Sequence, residues 1–211
     1  MKNAKIIAFG TALVAATNAS AAFVTHTTES SFRSAVGNIA FETFESNNPG
    51  TSITSLDFEG EEAQVTTHYA RQNRVHAVTD NHGAIAHEGD NFWKLSSASV
   101  TIEFTQQTTG FGFYYSDLEK VGLIVTIDND ENRSTTLIDR NPNTTDFFAV
   151  SDDQAFSSIT ITWTRQTNDG VGFDNIAIAT PQQLLPTPGA TALLATAGLL
   201  SYRRKRTNSQ S

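Results

Sequence analysis

The side chains best suited to chemistry in this sequence are its carboxylates: 22 Asp and Glu stand against 14 Lys and Arg, with five His and no Cys. Asp57 and Glu59 lie two apart in Leu56-Asp57-Phe58-Glu59-Gly60. Read as an early strand, that spacing projects both acids from one face. Asp174 and Asn175 fall in the last strand-like run. Calcium takes roughly six to eight oxygens, several of them from carboxylates. Asp57, Glu59 and Asp174 are therefore the set expected to hold one structural calcium between an early strand and the final one. The alternative is that Asp174 bonds a turn backbone and Glu59 is solvated.

Other groupings are weaker. Asp128-x-Asp130-x-Asn132 copies the start of a calcium loop, but Arg133 and Asp139 stand where that loop needs its Gly and its closing Glu. A solvated hairpin turn accounts for it better. His82 and His87, with Glu88 and Asp90, carry metal-capable atoms without the H-E-x-x-H spacing that a helix would turn into a zinc site. No G-x-S-x-G elbow and no cysteine offers a nucleophile. A carboxylate pair for glycoside hydrolysis has no distinguishing mark among 22 acids. Aromatic side chains suggest a sugar-stacking face instead, with Trp93 and Tyr114 as its residues. Trp163 continues the apolar face of Ile159 and Ile161 and is expected in the core, while Tyr114 and Tyr115 point to opposite sides.

These residues need elements to position them. Residues 28–37 read as the one helix: Thr28 caps it, Phe32 and Val36 share a face, and Gly37 ends it. From residue 39 short β runs follow, at 39–44, 56–60, 65–69, 75–78 and 92–95, and then at 99–105, 110–115, 121–127, 134–138, 146–150, 158–163 and 171–179. Residues 79–90 read as a long surface loop. Val100, Ile102 and Phe104 alternate with Thr101, Glu103 and Thr105, as Ile159, Ile161 and Trp163 do with Thr160, Thr162 and Thr164. Period two broken by turn residues predicts an all-β fold, a two-sheet antiparallel β-sandwich.

The two ends are addresses. Lys2 and Lys5, an apolar run from Ile6 to Val14, and Ala19-Ser20-Ala21 make a secretory signal over residues 1–21, cut before Ala22 or one residue later. Residues 190–202 form an uncharged apolar segment, short of the ~20 residues of a comfortable transmembrane helix. Arg203, Arg204, Lys205 and Arg206 follow, within a basic tail of residues 203–211, and would hold that end in the cytoplasm with the rest outside. Between the addresses lie a body, residues 22–180, and a linker, 181–189. Removing the six terminal cations leaves 8 against 22 acids, so the body sits near −14. That charge excludes nucleic acid as a partner, because phosphate binding needs clustered Lys and Arg. It suits an exported, cation-attracting protein, and the lack of cysteine rules out a disulfide framework.

The tail Pro186-Thr187-Pro188-Gly189-Ala190, with the apolar run and Arg-rich end after it, resembles the PEP-CTERM sorting signal in a P-x-P-G-A form. It departs from the Gram-positive L-P-x-T-G signal, since Pro188 stands where the threonine should be. The resemblance implies an exosortase-type processing enzyme as partner and an inner-membrane stage before release to the cell surface or extracellular matrix. The body is similar to the exported β-sandwich domains found in front of such tails. The points of contact are Leu56-Asp57-Phe58-Glu59-Gly60, Gly110-Phe111-Gly112-Phe113, Phe156-Ser157-Ser158-Ile159 and Val171-Gly172-Phe173-Asp174-Asn175-Ile176. This implies a jelly-roll-like topology and a non-enzymatic structural or interaction role with exopolysaccharide. A calcium-assisted carbohydrate-binding module is the alternative, and a polysaccharide hydrolase stands behind it.

Overall fold

The computed structural model describes residues 23–77, 83–96, 98–118, 122–138, 144–165 and 170–179. The signal peptide, the sorting motif, the apolar segment and the basic tail lie outside the described residues, as does His82. Within them are one helix and eleven strands, every strand pairing antiparallel.

The helix, α1 (Glu29–Val36), forms where its punctuation demands. The Thr28 side chain accepts the Ser31 amide at 3.3 Å, and the Gly37 amide closes on the Arg33 carbonyl with φ at +82°. It follows the short strand β1 (Val24–His26) and precedes β2 (Ile39–Glu42). Then come β3 (Ser55–Phe58), β4 (Glu61–His68), β5 (Gln72–Ala77) and β6 (Asn91–Ser96). The series ends with β7 (Ser99–Ser116), β8 (Gly122–Ile127), β9 (Asp130–Ile138), β10 (Thr145–Trp163) and β11 (Val171–Ala179).

Two of the strands are far longer than their hydrophobic runs predict. β7 takes in both 99–105 and 110–115, and β10 takes in both 146–150 and 158–163. Each therefore serves two halves of one continuous hydrogen-bonded sheet. Residues 110–116 of β7 pair with 145–151 of β10 and with β11, which continues through β6 to β5 and also holds β2. Residues 99–104 of β7 pair with β4, and 99–103 with 158–162 of β10, which continues through β8 to β9; β3 closes the other side on β4. Register shifts between Ser151 and Ser158 mark where β10 passes from one half to the other. At that crossing Asp128, first residue of the β8–β9 turn, accepts the amides of Ser157 and Ser158 at 2.9 Å each. Arg133 joins Asp152 at 2.9 Å and donates to the Gln154 carbonyl. The Asp128 stretch is thus a hairpin turn, both of its residues at positive φ.

The inner faces of the two halves share one core. Val100, Ile102, Ile159, Ile161 and Trp163 meet Phe111, Phe113, Phe148 and Phe173 in it, with the Trp163 and Phe173 rings 6.3 Å apart across the layers. Helix α1 covers the outer face of the β11 half: Phe32 is fully buried against Phe147, Ala149 and Ala177. That seat requires Gly110, where a Cβ would lie 2.7 Å from the Phe32 ring. The outer face of β6 is covered as well. Residues 83–90, expected as a surface loop, are pinned to β7 and β11: Ala84 is buried, Ile85 exchanges two hydrogen bonds with the Ser116 hydroxyl at 3.0 Å, and the His87 and Glu88 amides bond Asp174.

An acidic cleft as candidate functional site

The site begins with a charged residue on an apolar face. Ala40, Glu42 and Phe44 alternate inward from β2, and Glu42 is buried with them. Two backbone amides satisfy its carboxylate, Phe44 at 2.7 Å and Asp57 at 3.0 Å, so Glu42 ties the end of β2 to β3. Phe44 adopts φ +62° and drops its ring into the core beside Trp93, leaving Glu45 exposed on the next step. One Glu45 oxygen accepts the amides of Asp90 and Asn91 at 3.0 and 2.9 Å. Asp57 accepts the Gly60 amide at 3.2 Å within the β3–β4 turn.

The final strand supplies the opposite wall. A bulge between Asp174 and Ala177 shifts the register of β11, and Asn175 sits in it at φ +42°. Asp174, 2% exposed, accepts the His87 and Glu88 amides at 2.7 and 3.1 Å and the Asn175 amide at 2.8 Å. Burial pushes its carboxyl up to about 6, against the opposing pull of those three amides. The Asn175 side chain donates to Glu88 at 3.4 Å. Its Oδ1 is buried and has no hydrogen-bond partner among the described residues.

Between these walls and α1 opens a cleft of about 650 Å³. Glu29 and Arg33 reach it from the helix and Phe41, Glu42 and Thr43 from β2. Glu45, Ser46, Asp57, Glu59, Glu88 and Asn175 complete it. Six carboxylates thus share the cleft with one cation, and Arg33 is itself paired to Glu29 while its guanidinium lies 5.2 Å from the centre of the Phe41 ring. At the rim the Tyr114 hydroxyl donates to Glu29 at 3.0 Å, and burial with that acceptor raises the Tyr114 phenol to about 12. The His87 ring stacks on Tyr114 at 3.4 Å and bonds Thr145 at 3.1 Å. Burial lowers the His87 pKa, while the charges of Glu88 and Glu29 oppose the shift.

The residues expected from the sequence meet this geometry in part. Asp57 and Glu59 both line the cleft, but not from one strand face, because Glu59 is the first residue of the β3–β4 turn, at φ +56°. Asp174 does not line the cleft with them: its oxygens bond a loop backbone, as the alternative held. Among the described residues no three His, Asp or Glu side chains are placed to hold one metal ion. The three acids therefore do not fit a shared calcium. Trp93 offers no face to a sugar; it is fully buried, its indole N–H donating to Asn73 at 2.8 Å. Tyr114 is half-buried, but His87 covers one ring face, Phe147 meets the ring edge-on, and the hydroxyl is engaged. Trp163 is buried, as its alternation with Ile159 and Ile161 led one to expect, and Tyr115 is buried on the side opposite Tyr114. Missed altogether were Glu29, Glu42 and Glu45, of which only Glu42 announces itself, as an acid at a buried position of an alternating run; Glu88 was singled out only with His82, His87 and Asp90.

No family model and no curated protein matches this sequence. Among solved structures, the chain is similar to the K2 cleaved adhesin domain of Lys-gingipain, at 12% identity and a TM-score of 0.46, over 68% of this chain and 100% of that one. It is also similar to TmCBM61, solved in complex with β-1,4-galactotriose, at 13% identity and a TM-score of 0.38, over 66% of this chain and 95% of that one. Both likenesses are too distant to give the cleft a ligand.

Proposed function

We propose that this chain is an exported, non-enzymatic cell-surface or extracellular-matrix protein. In this reading a PEP-CTERM-like tail and an exosortase-type enzyme deliver a jelly-roll-like β body, which holds exopolysaccharide through the acidic cleft. The observation that carries the reading is the state of the carboxylates there. Glu42, Glu45 and Asp57 accept backbone amides, which fixes them as hydrogen-bond acceptors. Glycoside hydrolysis needs one carboxyl held protonated beside a second that is ionised, both facing the substrate. The acid raised by burial, Asp174, faces the amides of residues 87, 88 and 175 instead. This arrangement supports the reading of a binding surface over that of a hydrolase.

The test uses the full-length protein recovered from cells. Its intact mass reports both processing points. Retention on exopolysaccharide from the same cells, weakened by neutralising Glu59 and Glu88, is the expected result. Turnover of that polysaccharide by the protein would overturn the non-enzymatic reading, and absence of retention would overturn the matrix role.

A further inference from the structure

Two of the body's arginines are held by its own acids: Arg33 pairs with Glu29 and Arg133 with Asp152. Arg71 and Arg74 differ. Both are exposed, and among the described residues neither guanidinium has a carboxylate partner. They lie where β4 leads into β5, in a part of the chain cleared of acids. Neither 63–79 nor 91–102 contains an Asp or a Glu, although the body as a whole sits near −14.

A second, independent feature marks the same corner. Tyr69 is 86% exposed, and among the described residues neither its ring nor its hydroxyl has a partner. The other exposed large apolar side chains, Val24 and Ile138, are aliphatic. The Tyr69 backbone lies at φ +56°, where Asn or Gly would sit with less strain. Neither packing nor backbone geometry therefore calls for a tyrosine here. The chain beneath it is fixed. The Arg71 amide donates to the Ser96 carbonyl at 2.7 Å, the Ala98 amide to His68 at 3.1 Å, and the Trp163 amide to Ala98 at 3.1 Å. These bonds tie the β4–β5 connection to the ends of β6 and β10, and Arg165, also exposed, follows two residues after Trp163. Rows of polar side chains run inward from the corner over the outer face of the β4 half. His68, Ser99 and Thr162 are in register, and so are Thr66, Thr101 and Thr160. The Thr101 and Thr160 hydroxyls are 3.1 Å apart.

We infer that this corner binds an acidic polysaccharide, one whose sugar rings carry carboxylates. Arg71 and Arg74 receive the carboxylates, since a guanidinium offers paired N–H donors at the spacing of their two oxygens. Tyr69 supplies an apolar ring face for a sugar ring, with its polar tip left in water. The hydroxyl rows meet the hydroxyls of the following sugars, which is what favours a glycan over an acidic peptide. Repulsion from the anionic remainder of the body is screened beyond about 8 Å at physiological salt, so the corner's own cations decide the contact. This surface shares no residue with the acidic cleft, and the inference stands apart from the reading given to that cleft.

Calorimetric titration of the full chain in detergent tests the inference. The probes are a galacturonic acid hexamer, its fully methyl-esterified counterpart and a hexaglutamate peptide. The acid hexamer is expected to bind at least fivefold tighter than either of the others. Tyr69→Asn, which suits the positive φ, is expected to weaken binding about three- to tenfold and to leave the unfolding midpoint unchanged or higher. Arg71→Gln is expected to weaken it about two- to fivefold, again without loss of stability. Equal binding of the methyl ester would overturn the acidic class of the glycan. Hexaglutamate binding as tightly as the acid hexamer would overturn the inference in favour of an acidic protein partner. Binding of the acid hexamer that is unchanged by both substitutions would overturn its placement at this corner. No binding of the acid hexamer would overturn the inference outright, whereas the cleft reading stands or falls on retention by exopolysaccharide.

Discussion

Asp174 makes the stability of this protein depend on pH in a direction opposite to that of an acid held ionised by an ion pair. The folded state raises its carboxyl from 3.8 to about 6, because burial outweighs the three amides that bond it. A group whose folded pKa lies above its unfolded one contributes stability that is fully present below the unfolded value and lost as pH rises through the folded value. The window is therefore pH 4 to 6. The full difference is worth about 3 kcal/mol, and acidification from pH 7 to pH 5 recovers about 1.3 kcal/mol of it. For a body of this size that amounts to a rise in Tm of about 3–5 °C. Other carboxylates titrate over the same range, so the measurement is a difference. Thermal unfolding of the wild type and of Asp174→Asn is followed by circular dichroism at both pH values. The wild type should gain about 3–5 °C on the variant on going to pH 5. A gap that stays constant or narrows would show that the amides of His87, Glu88 and Asn175 dominate burial, and the assignment of cause would be wrong.

Three further outcomes follow from the packing. Trp93→Ala should cost about 3–5 kcal/mol in a urea melt, since the ring is fully buried, whereas Trp93→Phe should leave glycan affinity unchanged; a binding loss in a folded Trp93→Phe protein would mean that the indole is reached by ligand. Arg133→Met strands the 5%-exposed Asp152 and should cost about 3–5 kcal/mol, most of it restored in the double variant with Asp152→Leu; no restoration would locate the loss in the Asp128 or Gln154 contacts. Adding or chelating calcium should leave the unfolding midpoint in place, because a bound ion stabilises by mass action; a shift of several degrees would bring calcium back to the cleft.

What the sequence revealed depended on how local each cause is. Helix α1 was legible to the residue, because Thr28, Phe32 and Gly37 act within one or two turns. Residues 171–179 and the Asp128-Asn129 turn were legible for the same reason. The length of β7 and β10 was not. Thr105-Gln106-Gln107-Thr108-Thr109 and Ser151-Asp152-Asp153-Gln154 are polar runs of the kind that end strands. Here they carry the chain between two halves of a sheet, and their partners lie far away in sequence. Thr108, for instance, is buried and donates to the carbonyl of Ala179. Trp93 was misread because β6 is buried on both faces, and period two cannot distinguish that from a half-exposed strand. The cleft was hidden most deeply, since its acids come from α1, β2 and the segment after it, β3 and its turn, and the loop before β6.

The cleft's composition raises the question of how so many like charges persist together without a counter-ion. The hydrogen bonds answer it. Each backbone amide carries a positive end, and Glu42, Glu45 and Asp57 receive five of them in all. These donors offset repulsion locally, yet they are dipoles and leave the net charge in place. The fold thus holds a negative field open in advance of any ligand. In this protein several of the acids are fixed by backbone amides, while Glu59 and Glu88 stand on the exposed side.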